Sequence, residues 1–126
     1  MSLGVEIQGI QKAATIISRK FKKMAQEGTK EIHQAGLFME REVKLSISGR
    51  RAEPKSVDTG QFRNSIRTDN SRFMLSVVST NLSYAKYLEF GTTRVQPRRH
   101  FRNSKERNRR KVYDMVREKV FLGINS

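Results

Sequence analysis

Apolar positions change period along this chain, and each change marks an element. Leu3, Val5 and Ile7 alternate with Gly4, Glu6 and Gln8, which predicts a short strand. Gly9 interrupts it. From Ile10 the period lengthens: Ile10, Ala13, Ala14, Ile17, Phe21 and Met24 recur at helical spacing, with Lys12, Arg19, Lys20, Lys22 and Lys23 mostly on the opposite face. Gly28 ends or bends this helix. Thr29 is a suitable cap for a second one, and Glu31 follows in its first turn, where the helix dipole favours negative charge. Ile32, Ala35, Gly36, Met39, Val43 and Ile47 carry the stripe to about Ser48. Spacing alone leaves open one kinked helix or two separate ones.

Gly49 to Val57 has no apolar period and reads as an exposed, mobile loop, about residues 49–57. Ser65 to Asp69 and Phe73 to Thr80 read as two strands joined by a turn around Asn70-Ser71. Asn81-Leu82-Ser83 begins a short helix or turn through Tyr84 to Glu89, closed by Gly91. Thr92 to Gln96 suggests another short strand, which Pro97 stops. Asn103 or Ser104 is placed to cap a last helix through about Phe121, with Val112, Met115, Val116 and Val120 as its stripe. The predicted fold class is α+β in a single domain, 1–126. Long N-terminal helical segments pack on a small, mainly antiparallel sheet, with a C-terminal helix.

Composition sharpens this picture. At 126 residues the chain is long enough for one modest core. Its apolar content is 36% and its mean hydropathy −0.68, so a small core sits under a large polar surface, an arrangement often completed in an oligomer. The absence of cysteine excludes disulfides and thiolate metal sites. No apolar run approaches the roughly 18 residues of a membrane span, and the first residues lack the basic-then-apolar order of a secretory signal. The formal net charge is +14, which repels other copies and attracts polyanions or acidic protein surfaces. Composition does not choose between nucleic acid and an acidic neighbour.

Candidate chemistry is sparse. Asp58-Thr59-Gly60 matches the triplet of retroviral-type aspartic proteases, in which a dimer brings two Asp carboxylates together. The flanks argue against that role: Lys55-Ser56-Val57 is not an apolar approach strand, Gln61-Phe62-Arg63 follows the glycine, and no Gly-rich flap is evident. Asp58 reads instead as an N-cap, Gly60 as a site of close or left-handed backbone, and Phe62 and Ile66 as core anchors. Arg63 reads as a solvated charge. Tyr84, Ala85, Leu88 and Phe90 read as packing or interface residues, and Glu89 as a salt-bridge partner or an inter-subunit contact. The basic run Arg94, Arg98, Arg99, Arg102, Lys105, Arg107, Arg109, Arg110 and Lys111 is opposed within it only by Glu106. On a helix, Arg102, Lys105 and Arg109 share one face, with Arg99 before them, and such a row suits phosphates. No base-reading motif accompanies it. His33 and His100 are far apart and lack acidic or histidine neighbours at ligand spacing, so no metal and no other cofactor is expected. No nucleophile elbow, phosphate loop or paired acids suggest an enzyme or a small-molecule substrate.

Three pieces occur in order. They are Asp58-Thr59-Gly60-Gln61-Phe62-Arg63-Asn64-Ser65-Ile66, then Tyr84-Ala85-Lys86-Tyr87-Leu88-Glu89-Phe90-Gly91-Thr92, then Pro97-Arg98-Arg99-His100-Phe101. Together they resemble the minor-tail-component family of tailed bacteriophages, the tail-completion or head–tail joining proteins. The resemblance covers roughly Pro54 to Phe101. It implies a structural role for Asp58, Thr59, Gly60, Phe62, Arg63 and Ser65, for Tyr84, Ala85, Glu89, Phe90, Gly91 and Thr92, and for Pro97 and Phe101. It further implies a homo-oligomeric ring, usually taken as six-fold, at the neck or tail end of the virion, assembled in the bacterial cytoplasm. One face would meet the tail-tube protein and the other a head-completion protein, with DNA passing through the lumen. The chain departs from the family pattern in the Glu53–Val57 approach and at His100, where an apolar residue or proline is common. Charge alone supports an alternative reading as a small nucleic-acid-binding protein.

Overall fold

The computed structural model describes residues 3–56 and 60–125, with side-chain surroundings for 11–56 and 60–120. Val57, Asp58 and Thr59 lie outside the described residues, so the Asp58 cap and the role of Thr59 do too. The elements in chain order are α1 (Leu3–Ile47), α2 (Gln61–Ser65), β1 (Arg67–Asp69), β2 (Val77–Ser79), α3 (Ala85–Phe90) and α4 (His100–Asn125).

The N-terminal third corrects two expectations. Leu3–Gln8 is helical, not a strand, and Gly28 neither ends nor splits the helix: α1 runs unbroken for 45 residues. A strand must borrow a neighbour for its backbone hydrogen bonds, whereas a helix closes them within its own turns and lengthens by one bond per residue. Six alternating residues beside an established helix therefore join it. Gly28 has a packing role instead. A Cβ there would come 3.1 Å from Val120 Cγ2, so the glycine admits the far end of α4. At the other end of the pair, Ser46 meets His100. The two helices are thus antiparallel, with Val112, Met115, Val116 and Val120 half-buried between them.

The sheet is a two-stranded antiparallel hairpin with Arg67 opposite Ser79, Thr68 opposite Val78 and Asp69 opposite Val77. It is shorter than the sequence suggests. Ser65 closes α2 instead of opening a strand, and Phe73, Met74 and Leu75 lie in the connection, exposed. A hairpin this small is marginal alone, and α1 supports it. Thr68 Oγ1 donates to Glu40 Oε1 at 3.2 Å, Asn70 Nδ2 donates to the His33 carbonyl at 3.2 Å, and His33 Nε2 donates to the Arg72 carbonyl at 2.9 Å. The Asp69 carboxylate accepts the Ser71 N–H at 2.9 Å, fixing the turn. Thr92–Gln96 is not a strand either. The Thr92 hydroxyl accepts the N–H groups of Arg94 and Val95, and the Thr92 N–H donates to the Val95 carbonyl. The segment thereby meets its backbone needs within itself.

The core is small. Val43, Ile47, Phe62, Ile66 and Ala85 are buried, with Val78, Leu82, Leu88 and Phe101 packed around them. No helix among the described residues is long and apolar enough to cross a membrane.

Candidate functional site

Two short helices and the start of α4 converge on this core, and they bring the quoted motifs together. Gly60 stands at φ 79°, a left-handed conformation that costs glycine little, and starts α2. Phe62 then drops into the core, where its ring meets Tyr84 at 6.1 Å and His100 at 6.0 Å, both edge-on. Ser65 Oγ donates to the Phe62 carbonyl at 2.6 Å and accepts from the Thr80 hydroxyl at 2.6 Å, tying α2 to the end of β2. Arg63 is exposed.

Glu89 is neither a surface salt bridge nor an exposed contact. It is buried at the end of α3, and its two carboxylate oxygens accept the N–H groups of Phe101 and Arg102 at 2.9 and 3.0 Å. A helix N-terminus carries unsatisfied N–H groups and a partial positive charge, so the carboxylate caps α4 across space. This is why α4 begins at His100, before Asn103 or Ser104. Gly91 ends α3 at φ 78°, and a Cβ there would come 2.8 Å from Pro97 and from the Val95 carbonyl. The residues from Glu89 to Phe101 form one closed turn. Within α3, Ala85 is buried and Leu88 half-buried, but Phe90 is 78% exposed, so packing in this subunit does not use it.

A buried polar chain lies beneath. His100 and Ser46 are fully buried. Ser46 Oγ donates to Glu53 Oε1 at 2.5 Å, so the 2.7 Å contact between His100 Nδ1 and Ser46 must have Nδ1–H as donor. In the neutral ring Nε2 then accepts, here from the Ser56 hydroxyl at 2.7 Å, which itself accepts from Arg98 Nη1 at 2.7 Å. Glu53 also receives Arg107 in a two-pronged pair at 3.0 and 3.1 Å, and Asn103 at 3.3 Å. Burial is the largest influence on Glu53 and opposes its charge. The bonds from Arg107 and Ser46 together outweigh it and hold the pKa at about 2. Burial also dominates at His100, pushing its pKa down to about 4 against the pull of Glu53, with Arg98 adding to the depression. The segment expected to be an exposed, mobile loop is therefore anchored: Glu53 is buried, and the Ser56 N–H donates to the Ile47 carbonyl. No local signal marked these residues, because the partners lie up to 54 positions apart in sequence.

The same contacts sort the basic run. Arg107 belongs to Glu53, Arg98 to Lys55 and Ser56, and Arg110 to Asp114 at 3.3 Å, so Glu106 is not the acid that opposes them. Lys111 stands over the Phe38 ring at 4.6 Å. Arg102, Lys105 and Arg109 remain exposed on α4. Arg99 is half-buried before the helix at φ 51°, its carbonyl accepting the Asn103 N–H. Arg102 and Lys105 also edge an open groove of about 900 Å³ whose apolar lining includes Met39, Val43, Val78, Leu82, Phe90 and Phe101. An apolar groove with a cationic rim and a bare aromatic residue suits protein docking. Among the described residues no cluster of three potential metal ligands occurs.

The family model described as "Bacteriophage HK97-gp10, putative tail-component" matches residues 7–91, more than half of the chain. The chain belongs to this family. The matched span takes in nearly all of α1, the hairpin and α3, and stops at Gly91. Pro97–Phe101, quoted above for the resemblance, lies beyond it. No curated protein and no solved structure matched the chain. As a member of the HK97-gp10-like family the protein is a phage tail-related structural component, an α+β chain with a long N-terminal helix, a two-stranded sheet and a C-terminal helix. Its place is accordingly in the virion, among other virion proteins.

Proposed function

We propose that this chain is a tail-completion or head–tail joining adaptor that forms a ring at the neck or tail end and acts by binding, without catalysis. The observation that carries the proposal is the groove beside α3 and α4. A groove on one side and exposed Phe90 and hairpin-loop residues elsewhere give a subunit two unlike surfaces, and unlike surfaces joined head to tail generate closed rings. Tail-tube and head-completion proteins are the partners of the assembled ring. The charge of +14 opposes self-association at low salt, and screening over about 8 Å at physiological ionic strength relieves it. Light scattering across a salt series should find rings favoured as salt rises. A ring stable at low salt and dissociating as salt rises contradicts this account.

Arg102, Lys105 and Arg109 support a second contact, with passing DNA. It would be weak, independent of sequence and steeply salt-dependent, because phosphate contacts release counterions without reading bases. The decisive test is complementation. A phage lacking this gene should make heads and tails that fail to join or complete, and the Arg102→Gln/Lys105→Gln/Arg109→Gln variant should restore assembly poorly. Complete, infectious particles without the gene refute the adaptor role. Tight binding of the pure protein to one DNA sequence at physiological salt would instead favour a nucleic-acid-binding protein.

A further inference from the structure

The N-terminal part of α1 has no partner for its apolar face among the described residues. Helix α4 runs antiparallel to α1 and passes Gly28 at Val120, five residues before its own end at Asn125. Roughly 30 Å of α1 therefore extends past α4, at 1.5 Å per residue. Residues 11–23 are all exposed, Ile17 at 53% and Phe21 at 60%. The stripe formed by Ala13, Ala14, Ile17, Phe21 and Met24 lies in the same angular sector as Gly28, Ala35 and Met39. It continues the face that α4 covers lower down. A face that takes a helix along one half is shaped to take a helix along the other.

Charge says what kind. The covered half of α1 carries Glu27, Glu31, Glu40 and Glu42, and the helix lying on it is basic. In the bare half the sign is reversed: Lys12, Arg19, Lys20, Lys22 and Lys23 are present, and no acid occurs between Gln11 and Gln26. A second copy is a poor occupant. Its own arm and its α4 are both basic, and the acidic half of its α1 is already covered. An anionic membrane is also disfavoured, because alanine supplies much of the stripe, whereas interfacial helices present Trp, Phe and Leu broadly. Small residues permit close helix approach. We infer that residues 11–24 are a docking arm for an acidic helix of a different protein, which lies along Ala13, Ala14, Ile17 and Phe21 with Asp or Glu facing the lysines. The inference rests on the proposed function for its probes, the tail-tube and head-completion proteins of the same phage.

Hydrogen exchange on the full chain tests it, alone, with each of those two purified proteins, and with phosphatidylglycerol–phosphatidylcholine vesicles. An arm without tertiary contacts exchanges fast. One of the two proteins should slow the amides of residues 11–24 by about tenfold or more, as expected when an opening is closed by packing. Added salt should weaken the effect, and Ile17→Ser/Phe21→Ser should remove it while leaving residues 28–47 protected. Three results overturn the inference: no slowing with either protein, slowing by vesicles, or slowing that grows with the concentration of this chain alone. The two readings fail separately. If deleting the gene blocks tail completion but the Ile17→Ser/Phe21→Ser variant restores it fully, the arm inference falls and the adaptor role stands.

Discussion

Acid should destabilise this protein from about pH 6.5 downward, and His100 should be the reason. Folding places the ring where both nitrogens are committed: Nδ1–H donates to Ser46, and Nε2 accepts from Ser56. A second ring proton has no acceptor in that arrangement, and burial disfavours the charge, so the folded-state pKa falls from 6.5 to about 4. Above pH 6.5 the ring is neutral in both states and the stability is fully present. Between 6.5 and 4 the unfolded chain binds a proton that the folded chain refuses, so stability declines as pH falls. The difference is worth about 3 kcal/mol, a large share of the 5–15 kcal/mol typical of a domain. Glu53 acts in the same direction but later. Its carboxylate is stabilised in the fold, so its contribution is present above 4.5 and lost as pH falls through about 2. The windows therefore separate. Urea unfolding of wild type and His100→Gln from pH 7.5 to 4.5 isolates the histidine. The variant should be less stable at pH 7.5 by about 1–3 kcal/mol, for the disrupted hydrogen bonds. It should then lose less on acidification, and the two curves should converge. Parallel curves, or a wild type more stable at pH 5 than at 7.5, would refute the reasoning.

Other perturbations read the remaining contacts. Glu89→Ala removes the cross-element cap of α4 and should lower stability by about 1–2 kcal/mol in thermal or urea melts; an unchanged protein would show that the two N–H bonds contribute nothing net. Gly36→Ala should destabilise by about 1–3 kcal/mol, because its Cβ would overlap Ser76 Oγ and stand 2.8 Å from Ser76 Cβ, displacing the hairpin from α1. Gly60→Val should destabilise through φ 79° alone, since the nearest atoms to a Cβ there are 3.6 Å away, so Gly60→Asn should recover much of the loss. Arg102→Gln/Lys105→Gln/Arg109→Gln should melt close to wild type, with each exposed change within about ±0.5 kcal/mol, and should flatten the salt dependence of any DNA binding.

The sequence by itself determined the helices, because their information is local. The 3.6-residue stripe from Ile10 to Ile47 marked α1, and the stripe from Val112 to Val120 marked most of α4. Gly91 closed α3 as its position predicts, and the order of three short motifs pointed to a phage tail component. Tertiary structure decided what depends on distant partners. Leu3–Gln8 and Gly28 were ambiguous because alternation over six residues, or one glycine, carries less free energy than extending or packing a helix. The roles of Glu53, Glu89 and His100 were illegible for a stronger reason. A carboxylate or imidazole shows no local sign of whether it will end in solvent, on a helix terminus or inside a polar chain. Only chain closure, bringing Glu53 to Arg107 and Glu89 to Phe101, converts an ordinary charge into a buried structural bond.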